Sequence, residues 1–407
     1  MSEPIVLERL APQADPPHCR YFEAGVCRSC TFIETPIASQ LAAKLARCAE
    51  LLPSVPAEAW LPPVPGGVVD FRNRAKLAVG GAAGSVTLGI LDRGGEGVDL
   101  TDCLIHEPVI RAAIPVLASF LDRLGIEPYS VPRRAGELKF VHVTANPAGE
   151  LMVRFVVRSD AGLAVLRPCA AEISALLPHA RVISVNLLPE HKAVLEGERE
   201  ELLRGPGLGS SLEMRLGGAS GELAGSAAVP LHLRPQSFFQ TNTAVALALY
   251  EQAARWVSSV QPNSLWDLYC GVGGFALFCA DGVDRVLGVE VSEQAIRSAE
   301  RSAREAGIDA RFLAGDATAF ALSAAPADLP ELVVVNPPRR GIGEDLAGWI
   351  EASPIHYVIY SSCNPESLAR DLARMPSLRV REARLFDMFP HTSHLEVAVL
   401  LERVLDS

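Results

Sequence analysis

DLYCGVGGF, residues 267–275, is the stretch on which the fold turns. It follows an apolar, strand-like run and opens a helix. Gly271, Gly273 and Gly274 let the backbone turn sharply and come close to a ligand. Glu290 ends the next strand-like run, about 20 residues further on, where a carboxylate can accept hydrogen bonds from ribose hydroxyls. The pattern is a nucleotide fingerprint, although dinucleotide enzymes share it and a tight strand-to-helix turn also satisfies it. Working outward, strands are expected at 265–270, 286–291, 310–314, 332–336, 356–361, 380–387 and 396–403. Helices are expected at 241–258, 274–280, 292–306, 344–352 and 365–374. Alternating strands and helices predict an α/β, doubly wound, largely parallel seven-stranded sheet. FDMFPHTSH joins the last two strands and is too short for a helical crossover, so they should pair antiparallel.

In an open α/β sheet, ligands bind at the carboxyl ends of the strands. That rule gathers Tyr269, Asn336 and Cys363 along one edge. Tyr269 can support a bound cofactor or serve as a core aromatic. Asp316, in LAGDA, can meet an adenine edge or cap a helix. Asn336 stands in LVVVNPPRRGIG, where Arg339 rather than an aromatic follows the NPP turn; an arginine suits phosphate. This pairing of NPP turn and glycine loop favours S-adenosylmethionine as the nucleotide. Cys363, in YSSCNP, has polar neighbours Ser361, Ser362 and Asn364, which suits a reactive thiol better than a buried structural one. Glu396, in HTSHLEVAVLL, opens the last strand. A thiol and a carboxylate suit C5 chemistry on uracil. Thiolate addition at C6 makes C5 nucleophilic, and a base must afterwards remove the C5 proton. Cys363 is the candidate nucleophile and Glu396 the candidate base. His391 and His394 read as structural or RNA-facing.

The chain has 407 residues, 49% hydrophobic and 21% charged, with net charge −11. Such a balance excludes a simple polybasic nucleic-acid binder, so any RNA contact must come from local patches. Arg72, Arg74 and Lys76 form one such patch; Arg133, Arg134 and Lys139 another; Arg339 and Arg340 a third. No apolar run approaches the roughly 18 residues of a membrane span. The acidic start has no apolar signal core, so a cytoplasmic protein is expected. Residues 1–18 read as loosely attached, 37–52 as a short amphipathic helix, and 205–225 as a glycine-rich hairpin turn or loop. Residues 68–235 read as mostly β, in short runs such as LKFVHVTAN and LMVRFVVRS. Without an export signal, close cysteines suggest metal binding rather than disulfides. Cys19, Cys27 and Cys30 supply three thiols, and Cys103 can supply a fourth. The spacing alone leaves iron–sulfur and zinc both open, with His18 and His106 available to a mixed zinc site. Cys48, Cys169, Cys270 and Cys279 read as core.

RPQSFFQTN (234–242), DLYCGVGGF, VNPPRRGIG, YSSCNP and FDMFPHTSHLE together resemble the RNA uracil-C5 methyltransferases. The likeness is dense in the C-terminal half and at the cysteine cluster, and loose between them. It implies a Rossmann-like class I methyltransferase domain at 236–407. It also implies an N-terminal iron–sulfur region at 1–67 and a β-rich, RNA-binding central domain at 68–235 that supplies Cys103. By the same resemblance Gln240, Tyr269, Gly271, Gly273, Glu290, Asp316 and Asn336 would line the S-adenosylmethionine site. Cys363 would be nucleophile and Glu396 base, and Cys19, Cys27, Cys30 and Cys103 would hold a [4Fe-4S] cluster. Tyr269 departs from the phenylalanine common in the nearest branch, a change between aromatics. A cysteine cluster without room before it for an OB-type domain points to the 23S rRNA branch, whose target is uracil-747. The expected partner is a 23S rRNA stem-loop, bound by a monomer away from membranes. Rival readings are a tRNA uridine methyltransferase and a non-catalytic iron–sulfur RNA-binding protein.

Overall fold

The protein is described from a computed structural model covering residues 15–205, 207–218 and 228–404. Most of the expected loose N-terminal stretch, residues 1–14, lies outside the described residues, as do 206 and 219–225 of the expected glycine-rich turn.

Short apolar runs such as LVVV and YVIYSS are buried on both faces, which is how parallel strands read. They belong to a seven-stranded sheet. Its order is Arg311–Ala314, Arg285–Glu290, Ser264–Leu268, Leu332–Val335, Tyr357–Ser362, Glu396–Arg403, Leu378–Phe386. The first five strands are parallel. Glu396–Arg403 inserts between Tyr357–Ser362 and Leu378–Phe386 and runs antiparallel to both. The antiparallel insertion matters for chemistry. Residues that end parallel strands and the residue that begins the reversed strand meet on one edge, with Ser362 opposite Val397.

Helices Thr243–Val260, Gly274–Phe278 and Glu293–Ala306 cover one face of this sheet. Ala317–Ser323, Gly343–Ala352 and Pro365–Leu372 cover the other. The N-terminal helix Ile37–Leu51 joins that second layer, burying Leu41, Leu45 and Cys48. Residues 60–64 then extend the sheet edge, with Trp60 and Val64 bridging in parallel to Ala383 and Phe386. This stretch thus packs as part of the C-terminal layer. Strands Leu212–Leu216 and Val229–Leu233 form an antiparallel pair whose apolar side chains enter the core beneath Glu293–Ala306.

The central region is more helical than expected. Its sheet runs Gly97–Asp99, Ser85–Leu91, Arg74–Ala82, Leu138–Ala145, Leu151–Val157, Ala180–Leu187, Arg199–Leu202. Three helices, Pro108–Leu124, Asp160–Leu166 and Ala170–Leu176, cover one face. Pro115 lies inside the first of them and disguises it as loop, although Ile110, Ile114, Leu117 and Leu121 recur at helical spacing. Cys48, Cys270 and Cys279 are buried as expected, whereas Cys169 is only half-buried.

Lys44 and Asp387 tie the two termini together through an ion pair of 2.5 Å, with 4% and 0% of their side chains exposed. Burial lowers the lysine and raises the carboxyl, and each partner opposes the other's shift. Lys44→Met strands a buried carboxylate, and urea denaturation at pH 7 should register a loss of about 3–5 kcal/mol. Replacing both partners with apolar side chains should restore most of that loss.

Candidate functional site

The carboxyl edge of the C-terminal sheet holds two adjoining groups of side chains. The first surrounds the glycine loop. Tyr269 takes a left-handed backbone, φ 70°, which a bulky aromatic adopts at a cost of about 1–3 kcal/mol. Its hydroxyl lies 3.3 Å from Thr318 Oγ1. Gly273, at φ 86°, packs so tightly that a Cβ there would stand 3.0 Å from Ala299 Cβ. Asp267 is fully buried and accepts from Ala276 N–H at 2.9 Å, closing the loop onto its helix. Burial pushes its carboxyl up to about 7. Glu290 accepts from Gly271 N–H at 3.3 Å and Ser292 N–H at 3.0 Å, so it stands beside the glycine loop at its strand end. Asp316 caps Ala317–Ser323, accepting from Ala319 N–H at 2.8 Å; the helix-cap alternative therefore holds. Gln240 is held by its backbone, whose carbonyl accepts from Asn73 Nδ2 at 3.0 Å. Among the described residues its side-chain amide has no hydrogen-bond partner.

The second group is the thiol and the carboxylate. Glu396 is 1% exposed. Asn336 Nδ2 donates to its Oε1 at 3.0 Å, and Ser361 Oγ donates to the same oxygen. Burial nevertheless raises this carboxyl to about 7, against the pull of both donors. Cys363 follows strand Tyr357–Ser362 and is half-buried. Burial raises its thiol, and the neighbouring Glu396 raises it further. Arg339 opposes both, its positive charge favouring the thiolate. Arg339 Nη2 also lies 2.8 Å from His394 Nδ1, and Asn364 Nδ2 donates to the Arg339 carbonyl at 3.1 Å.

The expected edge thus assembles Tyr269, Gly271, Glu290, Asn336, Cys363 and Glu396. Three partners escaped the sequence reading. Arg339 was read as a phosphate contact, and its charge also favours the Cys363 thiolate. Ser361 gave no signal beyond being polar. Asp267 was visible only as the first letter of the fingerprint. His391 is fully buried at φ 63°, with Nε2 2.7 Å from the Val68 carbonyl, which settles it as structural.

Cys19, Cys27, Cys30 and Cys103 line one small cavity walled by Tyr21, Phe22, Ile33 and Leu100. All four are free thiols. Burial raises Cys30 to about 12, and the like charges of Cys103, Cys27 and Cys19 add to the shift. Among the described residues, Glu213, His232 and Glu305 are the one trio of such side chains whose ligand atoms all lie within 4.8 Å.

A family model described as tRNA (Uracil-5-)-methyltransferase matches residues 329–404, and one described as a methyltransferase domain matches 266–335. A Halothiobacillus neapolitanus protein named 23S rRNA (uracil(747)-C(5))-methyltransferase RlmC is 47% identical over 391 residues, covering 95% of this chain and 100% of that one. The Escherichia coli K12 protein of the same name is 43% identical, covering 94% and 99%. Among solved structures, the Pyrococcus abyssi tRNA (uracil-54, C5)-methyltransferase in complex with S-adenosyl-L-homocysteine superposes with a TM-score of 0.74. It is 25% identical, covering 92% of this chain and 84% of that one.

Proposed function

The chain belongs to the RNA uracil-C5 methyltransferases, and from that premise we propose that it methylates C5 of one uridine in 23S rRNA, at the position of uracil-747. It is an S-adenosylmethionine-dependent enzyme. The observation that carries the mechanism is the meeting of Cys363, Arg339 and Glu396 at one sheet edge.

In this reading Gln240, Tyr269, Gly271, Gly273, Glu290, Asp316 and Asn336 line the cofactor site. Bound S-adenosylmethionine supplies an electrophilic methyl group. Cys363 adds as thiolate to C6 of the flipped uracil, and the electron pair of the C5–C6 bond moves onto the ring as an enolate. C5 takes the methyl group. Glu396 then removes the C5 proton, the C5–C6 double bond re-forms, and the thiolate leaves C6. Asn336 and Ser361 both hold Oε1 of Glu396, which leaves Oε2 to receive the proton.

The RNA has an electrostatic path despite the net charge of −11. Arg74 and Lys76 line a groove beside Phe238, where Arg154 is already paired with Glu196 and Glu200, and Lys139 and Lys192 line an adjoining groove that shares Lys76. Phe238 is 69% exposed, two residues before Gln240. No helix among the described residues is long and apolar enough to cross a membrane. The working state in this reading is a cytoplasmic monomer.

The direct test supplies labelled methyl donor with unmodified 23S rRNA or tRNA and maps the product by mass spectrometry. One 5-methyluridine in 23S rRNA is expected. Label in tRNA alone would move the enzyme to the tRNA branch.

The four cysteines fit a [4Fe-4S] cluster: four thiols within apolar walls. Protein purified without oxygen should contain about four irons and four sulfides per chain. Cys103→Ser should lose most of that iron. A colourless protein holding one zinc would replace this assignment.

A further inference from the structure

The cysteine-lined segment lies apart from the sheet edge that carries the chemistry, yet one buried side chain spans the interval. Gln40, on helix Ile37–Leu51, is 2% exposed. Its Nε2 donates to the carbonyls of Phe32 at 2.9 Å and Thr35 at 2.7 Å, directly after Cys30. Its Oε1 accepts from His391 N–H at 2.8 Å, and its Nε2 also lies 3.2 Å from His391 Nδ1. Phe32 N–H reinforces the link by donating to the His391 carbonyl at 2.9 Å. His391 sits in the loop between Phe386 and Glu396. That loop presents His394 to Arg339, whose charge favours the Cys363 thiolate, and it delivers Glu396 to Asn336.

We propose that Gln40 is a positioning residue that couples the cysteine-lined segment to the loop 387–394, and through it to the nucleophile and the base. One amide satisfies both sides at once. Its two donated bonds fix the turn after Cys30, and the accepted bond fixes His391 in its left-handed conformation. Lys44, one turn along the helix, holds Asp387 and the Phe389 carbonyl at the start of the same loop. Whatever the four thiols bind, its removal loosens the Cys30–Thr35 turn, and Gln40 passes that loosening to the catalytic loop. This coupling needs no change at the cofactor site, because Gln240, Glu290 and the glycine loop make no contact with Gln40 among the described bonds.

The test compares wild type and Gln40→Met by hydrogen exchange, each with its native metal and after chelation. In wild type, chelation should speed exchange across 387–394 by about tenfold or more. In Gln40→Met those amides should already exchange fast, and chelation should add less than about twofold. Equal sensitivity in both proteins, or none in wild type, would overturn the proposal. Kinetics supply a second arm. Gln40→Met should lower kcat at least about tenfold, with metal content and S-adenosylmethionine affinity within twofold of wild type. An unchanged kcat would overturn the proposal. The kinetic arm rests on the reading of Cys363 and Glu396 given above, whereas the exchange arm does not. If wild type methylates no RNA, that reading falls, and the exchange result still decides the coupling.

Discussion

Cys363→Ala removes methyl transfer to RNA, with a fall of at least about 10⁴-fold expected in single-turnover assays. The size of the loss follows from the substrate. Uracil C5 is not nucleophilic until a group adds at C6, so no slower version of the same route survives without the thiol. Cys363→Ser fares little better, because a hydroxyl ionises far less readily than a thiol. Cofactor affinity should stay within twofold, since the glycine loop and Glu290 form a separate group on the edge. The wild-type thiol is raised by burial and by Glu396, with Arg339 opposing. Adduct formation with 5-fluorouridine RNA should therefore quicken as pH rises from 7 to 9. Arg339→Met deletes the opposing contact and should slow adduct formation most at the lower pH. The measurement is a denaturing gel followed by peptide mapping of the crosslink. An adduct mapped to another side chain would end the assignment.

Glu396→Gln separates the second half of the reaction from the first. Addition and methyl transfer need only Cys363, whereas release needs a base. The variant should lose about 10²–10⁴-fold in turnover yet accumulate a covalent protein–RNA species with about one methyl transferred per enzyme. A variant that turns over normally would remove Glu396 from the mechanism. The same residue leaves a mark on stability. Its folded carboxyl is raised to about 7 from an ordinary value of 4.5. A raised carboxyl holds its proton more tightly when folded, so its contribution is fully present below about pH 4.5 and is lost as pH climbs through about 7. The shift corresponds to a loss on the order of 3 kcal/mol by pH 8. Glu396→Gln cannot ionise and escapes that loss. It should match wild type near pH 4.5 and exceed it in denaturant melts at pH 8. In activity the sign is opposite, since a base must be ionised: kcat/KM of wild type should rise through about pH 7.

The C-terminal sheet was legible because its strands are short, apolar and bounded by glycine, proline or asparagine, and because helices separate them. The motif edge followed from the topological rule alone. Ala317–Ser323 was missed because seven residues give too few turns for periodicity to register. Pro115 hid a 17-residue helix in the central region by the same logic that makes proline a good loop marker elsewhere. The contact between Arg339 and His394 joins two separate loops, and no local pattern encodes such a meeting. Tyr269 shows the limit from the other side, since nothing in an aromatic letter announces a left-handed backbone. The layering of residues 37–64 onto the C-terminal sheet was likewise unreadable. The helix was plain, but its amphipathic face does not say which sheet it will cover.

That layering has a consequence for biosynthesis. The helix Ile37–Leu51 and the edge stretch at 60–64 are synthesised well before their partners Leu378–Phe386 and Asp387. The nascent chain must therefore carry an amphipathic helix whose partners are not yet made, and this edge of the sheet closes only when two segments far apart in sequence find each other.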